Sequence, residues 1–183
     1  MEKKNNIIKI AVTGPESSGK SYLCKFLANQ FNGSIVEEFA RTYLSTIQRP
    51  YTYNDLLYIA EQQMILEQRA IDSGTQIVLM DTELINMKIW SAYRFGKYPE
   101  QWEEQIKNSG YDLYLLLAPD IPWEEDPLRE NPHDRWELFS TFENELKGYQ
   151  KNYAVIRGEF EEREKLAMSI LKKKLINNEL RLI

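Results

Sequence analysis

Residues 14–21 read Gly14-Pro15-Glu16-Ser17-Ser18-Gly19-Lys20-Ser21 and fit the pattern G-x-x-x-x-G-K-[ST] without a gap. A short β-branched run at 7–12 precedes them, and a segment with helical spacing of apolar residues follows at 20–31. In this context glycines let backbone N–H groups surround phosphate oxygens, and the helix N-terminus adds partial positive charge. The stretch therefore predicts a phosphate-binding loop (P-loop) for a nucleoside triphosphate.

The loop also predicts the cofactors, which are ATP and Mg²⁺. Lys20 is expected to reach the outer phosphates, and the Ser21 hydroxyl is expected to ligate the metal ion. The predicted nucleotide-binding residues are Gly14, Pro15, Glu16, Ser17, Ser18, Gly19, Lys20, Ser21 and Tyr22.

The rest of the chain alternates between strand-like and helix-like segments. Apolar runs predict further strands at 34–36, 77–80, 113–118 and 153–156, and periodic segments predict helices at 54–71, 84–95, 99–108, 134–150 and 159–177. Apolar strands joined by helical crossovers indicate a parallel sheet covered on both faces. We predict an α/β P-loop NTPase fold with three α/β/α layers, a five-stranded parallel sheet and a small lid. Without a repeat or a break in composition, we expect one domain over 1–183 with its lid at 120–135.

Composition excludes several function classes. The 23 Lys and Arg residues against 28 Asp and Glu give a net charge of −5, which argues against a general nucleic-acid binder. The single cysteine, Cys24, excludes an internal disulfide and a cysteine-based zinc site. No apolar run approaches the ~20 residues of a membrane span, and 1–6 lead into a strand-length run rather than a signal-peptide core. We expect a cytoplasmic protein whose partner is a small-molecule substrate, with neither nucleic acid nor membrane as a partner.

Two carboxylates lie at or just after the end of the third predicted strand. Asp81 directly follows the apolar run 77–80, as does the acid that holds the Mg²⁺ shell in P-loop proteins. Glu83 lies two residues further on and is a candidate either to bind a substrate hydroxyl or to cap the next helix. Ligands of open α/β sheets bind at the carboxyl ends of the strands. Asp81 is therefore a predicted metal ligand, and both acids are predicted substrate contacts.

A second acidic pair, Glu37 and Glu38, follows the second predicted strand, with Arg41 one helical turn further on. Phosphoryl transfer to an alcohol benefits from a carboxylate that orients the hydroxyl and takes its proton. We expect Glu37 or Glu38 to have this role, with Asp81 as the alternative base and Arg41 beside the substrate. The sequence leaves open which of the two glutamates faces inward.

Segment 120–135 has three prolines, many charges and no hydrophobic period, which is typical of a loop or lid. It contains Arg129 and Arg135. The planar guanidinium group binds phosphate through two parallel hydrogen bonds, and small kinases close such a lid over the nucleotide. We expect both arginines to stabilise the transferring phosphoryl group. The alternative is that they pair only with the acids of their own loop.

In combination these motifs resemble the ribosylnicotinamide kinase domain of NadR-type proteins. The resemblance covers about residues 7–170 and lies in the P-loop, in Glu-Glu-Phe-Ala-Arg at 37–41, in Asp-Thr-Glu at 81–83, and in the lid from Pro-Trp at 122–123 to Arg135. It implies a fold similar to that of small nucleoside and nucleotide kinases. It also implies transfer of the ATP γ-phosphate to the 5′-hydroxyl of nicotinamide riboside, which gives nicotinamide mononucleotide. One departure is Glu37, which replaces a tryptophan that the family uses to stack on nicotinamide.

For individual residues, the resemblance implies that 14–21 contact the ATP phosphates and Mg²⁺. It implies that Glu37, Glu38 or Asp81 lies near the acceptor hydroxyl and the metal ion, and that Arg129 and Arg135 lie in the lid. Two other functions fit the same motifs. One is a kinase for another nucleoside or small molecule, and the acidic pair then favours a neutral or cationic acceptor. The other is a P-loop ATPase or regulatory switch that has no small-molecule acceptor.

Overall fold

Five parallel strands form a single sheet in the computed structural model, which describes residues 7–180 and the side chains up to residue 176. The strands are β1 (Ile8–Thr13), β2 (Ser34–Val36), β3 (Ile77–Asp81), β4 (Leu113–Leu117) and β5 (Tyr153–Ile156). Their order across the sheet is β2-β3-β1-β4-β5, so the strand that leads into the P-loop is central. The expectation for 1–6 lies outside the described residues.

Seven helices connect the strands or follow the last one within the described part of the chain. They are α1 (Lys20–Phe31), α2 (Phe39–Thr46), α3 (Tyr53–Asp72), α4 (Leu84–Phe95), α5 (Gln101–Asn108), α6 (Arg135–Gly148) and α7 (Phe160–Leu180). The predicted elements are present, and their ends differ from the prediction by at most three residues. The exception is α2, which was not predicted: it has eight residues and no side-chain cap at its N-terminus, so it lacks a start signal.

The sheet is covered on both faces because the side chains of its buried strands alternate in direction. On one face Ile10 and Val12 of β1 pack with buried residues of α1 and α7, such as Leu27 and Leu171. On the other face Ala11 packs with Tyr114 and Leu116 of β4 and with residues of α3, α4 and α6. The predicted three-layer α/β/α fold is therefore confirmed.

Helix α3 shows how local sequence fixes an element. Thr52 is its N-cap, and the Thr52 and Asp55 side chains each accept a hydrogen bond from the other residue's backbone N–H, which forms a capping box. The cap thus marks the residue at which α3 begins.

Within residues 7–180, none of the helices combines the length and apolarity that crossing a bilayer requires.

Candidate active site

The P-loop wraps across the carboxyl ends of the central strands, and its backbone needs glycine. A Cβ at Gly14, where φ is +135°, would lie 2.6 Å from the backbone oxygen of Leu117. Gly19 has a φ of +83° and is the N-cap of α1. The Ser18 hydroxyl closes the turn by donating a hydrogen bond to the Pro15 carbonyl oxygen at 2.8 Å. The loop thus has the backbone shape and the helix N-terminus that bind phosphate.

Lys20 and Asp81 lie together at the inner side of this loop. Parallel pairing sets Asp81 opposite Val12, two residues before the loop begins. The Lys20 ammonium group donates hydrogen bonds to the backbone oxygens of Gly14 at 3.0 Å and Pro15 at 2.8 Å. Burial raises the pKa of Asp81, and the interactions with Ser21 and Lys20 oppose this rise. Lys20 and Asp81 thus place an ammonium group and a carboxyl group near each other beside the phosphate loop.

Asp81 also meets the test for a Mg²⁺ ligand. Its Oδ1 atom is buried without a hydrogen-bond partner among the described residues, and a buried polar atom of this kind requires one. No group of three or more His, Cys, Asp or Glu side chains suited to a metal ion occurs within the described residues. Mg²⁺ usually binds one or two protein oxygens and completes its shell with water and substrate phosphates. Ser21 and Asp81 therefore fit the ion, and they would hold it against the phosphates.

A cavity of about 600 Å³ extends from the P-loop towards α2, α4 and α6. Near the loop it is lined by residues 14–22 and by lid residues that include Trp123 and Arg129. The remaining wall, which we call the acceptor wall, consists of Glu38, Arg41, Asn86, Trp90, Tyr93 and Phe142 together with neighbouring apolar residues. The cavity thus continues from the phosphate loop to a second wall of different composition.

The acidic pair after β2 is divided between the cavity and the solvent. Glu38 is half-buried and lines the cavity, whereas Glu37 is exposed and lies outside it. Burial raises the pKa of Glu38, Lys20 opposes the rise, and Asp81 adds to it. Of the two predicted alternatives, Glu38 is therefore the one that faces the cavity, and its contact with an acceptor stays a prediction.

Glu83 caps helix α4 and does not line the cavity. It is 1% exposed, and its Oε2 atom accepts a hydrogen bond from the Ile85 N–H at 2.7 Å at the N-terminus of α4. The Thr13 hydroxyl lies 3.4 Å from its other carboxylate oxygen. Burial raises the pKa of Glu83 to about 8, and the charge of Glu67 adds to the rise. Glu83 does not line the cavity, and its contact with substrate stays a prediction that this structure does not favour.

The lid folds onto the P-loop, and both predicted arginines reach Ser17. Arg129 Nη1 lies 3.3 Å from the Ser17 hydroxyl oxygen, and Arg135 Nη1 lies 3.2 Å from the Ser17 carbonyl oxygen. Arg129 also contacts the carboxylate of Glu124, so part of the alternative interpretation holds. The two guanidinium carbons lie 5.9 and 5.7 Å from the centre of the Trp123 ring. The lid thus presents two cations at the phosphate loop.

Further contacts hold the lid in place. Arg41 does line the cavity, but its guanidinium group also donates to the Asp126 carboxylate at 2.7 Å. The Glu16 carboxylate accepts hydrogen bonds from the backbone N–H groups of Glu130 and Asn131, each at 2.9 Å. Arg41 and Glu16 therefore connect the acceptor side and the P-loop to the same lid.

Sequence reasoning missed two parts of the site. Arg163 of α7 is 2% exposed and donates hydrogen bonds to the backbone oxygens of Ser18 at 2.5 Å and Ala118 at 2.8 Å. An arginine in a charged helix gives no local signal of such a contact. The second part is Asn86, which lies at helical spacing from Trp90 and Tyr93, two aromatic residues that the sequence offers as candidates to stack on a substrate ring and that line the same wall.

A family model described as an AAA domain matches residues 9–163. Two curated proteins, each a "Trifunctional NAD biosynthesis/regulator protein NadR" from Salmonella typhimurium strain LT2 and Escherichia coli strain K12, are 29% identical over 124 residues. The match covers 66% of this chain and 30% of each relative, so the chain spans less than a third of their length. The predicted resemblance to NadR-type proteins is confirmed.

Solved structures share the fold. A crystal structure of NadR protein in complex with NR has a TM-score of 0.75 and 22% identity, over 92% of this chain and 52% of that one. A deoxyadenosine kinase from M. mycoides has a TM-score of 0.63 and 15% identity, over 91% of this chain and 100% of that one. A thymidylate kinase from Ehrlichia chaffeensis has a TM-score of 0.63 and 14% identity, over 91% and 99% of the two chains. The single-domain assignment over 1–183 stays a prediction.

Proposed function

The chain belongs to the AAA domain family, and from that premise we propose that it is an ATP- and Mg²⁺-dependent kinase acting on the 5′-hydroxyl of nicotinamide riboside. The observation that carries this proposal is the continuous cavity, which has the P-loop at one end and a partly apolar wall with a carboxylate, Glu38, at the other. A protein that only hydrolyses ATP needs the first part. A kinase needs both, because the acceptor hydroxyl must lie in line with the γ-phosphate.

The nucleotide part of the cavity supplies charge stabilisation. Lys20, which binds loop carbonyl oxygens in this structure, would move to the β- and γ-phosphate oxygens. Ser21 and Asp81 would hold Mg²⁺, which neutralises charge on those phosphates. Arg129 and Arg135 would turn from Ser17 towards the transferring group. Fixed cations at this point stabilise charge that shifts in the transition state.

Glu38 is the proposed acceptor base. Its carboxylate lines the cavity, and burial raises its pKa, which makes it a better proton acceptor than an exposed glutamate. It would accept a hydrogen bond from the 5′-hydroxyl and take the proton as the oxygen attacks the γ-phosphorus, while the bond from that phosphorus to the bridging oxygen breaks and ADP leaves. Asp81 remains the alternative base, although it is buried and does not itself line the cavity, and Glu37 is left out of the mechanism because of its exposure.

One carboxylate of the acceptor wall and the relatives both support nicotinamide riboside as the acceptor. The nicotinamide ring is cationic, and Glu38 gives the acceptor wall a negative charge that favours a cationic ligand. The curated relatives are named for NAD biosynthesis, and one structural neighbour was solved with NR. The product would be nicotinamide mononucleotide. Cytoplasmic location stays a prediction.

A second candidate is a kinase for another nucleoside. The fold is shared with a deoxyadenosine kinase and a thymidylate kinase, and the acceptor wall offers the Asn86 amide and the Trp90 ring to any base. The third candidate, an ATPase or switch without an acceptor, leaves the acceptor wall without a role.

ADP release from Mg-ATP tests the three candidates. The acceptors are nicotinamide riboside, adenosine, uridine and deoxynucleosides, with Lys20→Ala as the blank. Stimulation by nicotinamide riboside alone supports the proposal, and mass spectrometry of the product then identifies the mononucleotide. If another acceptor stimulates ADP release instead, the result supports the second candidate, a kinase for another nucleoside. If no acceptor changes the rate of ATP hydrolysis, the result supports the third candidate, an ATPase or switch without an acceptor.

A further inference from the structure

Tyr51 lies between the acceptor wall and the lid without lining the cavity itself. Its hydroxyl accepts a hydrogen bond from the Trp90 indole N–H at 3.0 Å and donates one to the Glu130 carboxylate at 2.7 Å. Trp90 belongs to the acceptor wall, and Glu130 belongs to the lid. A single hydroxyl therefore joins the two parts of the site.

Resting on the proposed function, we propose that Tyr51 is a positioning residue that couples binding of the acceptor to closure of the lid over ATP. The link continues from the lid into the P-loop, because the backbone N–H of Glu130 donates to Glu16 at 2.9 Å. The contacts thus run from the acceptor wall through Tyr51 and the lid to the residue beside the phosphates.

The backbone around Tyr51 is held firmly enough to transmit position. On one side Arg49 donates two hydrogen bonds to the Asp55 carboxylate, at 2.6 and 2.8 Å. On the other side the Thr52 N–H donates to the same carboxylate at 2.7 Å. Asp55 is 5% exposed, at the start of α3. The flanks of Tyr51 are therefore tied to one buried carboxylate, and its hydroxyl has little freedom to follow one partner alone.

The side chain of Tyr51 is confined as well. Its ring packs edge-on against Trp90, with the ring centres 5.2 Å apart, and against Phe95 at 6.0 Å. The Arg94 guanidinium carbon lies 5.8 Å from the centre of the Tyr51 ring. These contacts aim the hydroxyl at the gap between Trp90 and Glu130.

Coupling follows from the chemistry of the shared hydroxyl. A tyrosine hydroxyl donates and accepts at once, and each of the two hydrogen bonds polarises the other. An acceptor that orders Trp90 fixes the hydroxyl, so the lid loses less freedom when it closes over the nucleotide. Each ligand then binds more tightly in the presence of the other, by the same factor in both directions.

Calorimetric titration of a non-hydrolysable ATP analogue with Mg²⁺, with and without saturating acceptor, tests this inference. The acceptor panel is the one used for ADP release, and the acceptor that binds is the one used. In the native protein we expect the acceptor to lower the Kd of the analogue about five- to tenfold. In Tyr51→Phe we expect that factor to fall to about one to two, because the ring stays and the shared hydroxyl is lost. The Kd of the analogue alone should change by less than about twofold.

Two further variants separate coupling from a merely structural effect. Tyr98→Phe is the matched control, because the Tyr98 hydroxyl also donates to a glutamate, Glu103, at 2.8 Å but lies outside the cavity wall. It should keep the native coupling factor. Glu130→Ala should lower the factor as Tyr51→Phe does, and the double variant Tyr51→Phe/Glu130→Ala should lower it no further.

The outcomes distinguish this inference from the proposed function. If an acceptor binds and Tyr51→Phe keeps the native factor, the inference is overturned while the kinase proposal stands. The same holds if both ligands bind the native protein with no mutual effect. If no acceptor binds, the proposed function and the coupling fail together.

Discussion

The two ends of the cavity are built in different ways. The phosphate end is built around one continuous stretch, 14–21, whose backbone is shaped by the end of β1 and the start of α1, and the lid packs onto it. The acceptor end is formed by side chains of α2, α4 and α6, which are far apart in sequence and meet only in the folded chain. The first end depends mainly on backbone geometry, and the second depends on which side chains the helices present.

This difference predicts how substitutions act. Changes at the phosphate end should remove activity on every acceptor, since all of them share the γ-phosphate. Changes at the acceptor wall should alter the choice or the orientation of the acceptor while nucleotide binding remains. The variants below test this division, in order of decreasing effect.

Lys20→Ala should give the largest loss. It removes the one P-loop side-chain cation, so we expect kcat to fall by about 10³-fold or more with every acceptor. The melting temperature should stay close to native, because within residues 7–180 the Lys20 ammonium group donates hydrogen bonds only to two loop carbonyl oxygens. Lys172→Ala, at an exposed position of α7, is the control and should retain native kcat. Turnover near the native rate in Lys20→Ala would refute the role of the loop.

Asp81→Asn should lower kcat by about 10²- to 10³-fold and raise the Mg²⁺ concentration needed for half-maximal rate. The reason is the loss of the charged oxygen that is buried without a partner beside Ser21 and Lys20. A Mg²⁺ titration of the rate measures both effects. If the Mg²⁺ dependence of the rate is unchanged in Asp81→Asn, Asp81 is not the metal ligand.

Glu37 and Glu38 are adjacent in sequence, but only Glu38 lines the cavity, so substitutions at the two positions should differ in effect. Glu38→Gln should lower kcat by about 10²-fold, whereas Glu37→Gln should stay within about twofold of native. The base acts when deprotonated, so the native rate should fall as the pH drops through the raised pKa of Glu38. That acid limb should lie above the pH at which an exposed glutamate titrates, and it should vanish in Glu38→Gln. Equal losses in both variants would contradict the inward placement of Glu38.

Glu83→Gln should change stability rather than catalysis. Burial raises the pKa of Glu83 to about 8, so the native state holds a proton that the unfolded state releases above its ordinary pKa of 4.5. The free energy of unfolding should therefore decline as the pH rises from about 4.5 to 8, by about 1.4 kcal/mol for each pH step of one within that window. Urea denaturation at several pH values should show a smaller decline in Glu83→Gln, whose amide oxygen can still cap α4. The same decline in both proteins would contradict the buried, protonated carboxyl.

The fold and the phosphate end could be predicted because their signals are local. The run 77–81 shows a buried strand that ends in an acid, and the loop has its own pattern. Glu37 and Glu38 could not be separated in the same way, since the choice depends on the angle at which α2 leaves β2. The cap formed by Glu83 and the contact from Arg163 depend on packing between distant segments, which periodicity does not encode.

The contact between Arg163 and the carbonyl oxygen of Ser18 spans 145 positions of the chain. A growing polypeptide leaves the ribosome from its N-terminus, so the loop sequence emerges long before this arginine. Arg163 can make this contact only after β4 and β5 have joined the sheet and the first turn of α7 has packed beside the loop. During translation, this contact is therefore among the last of the site that can form.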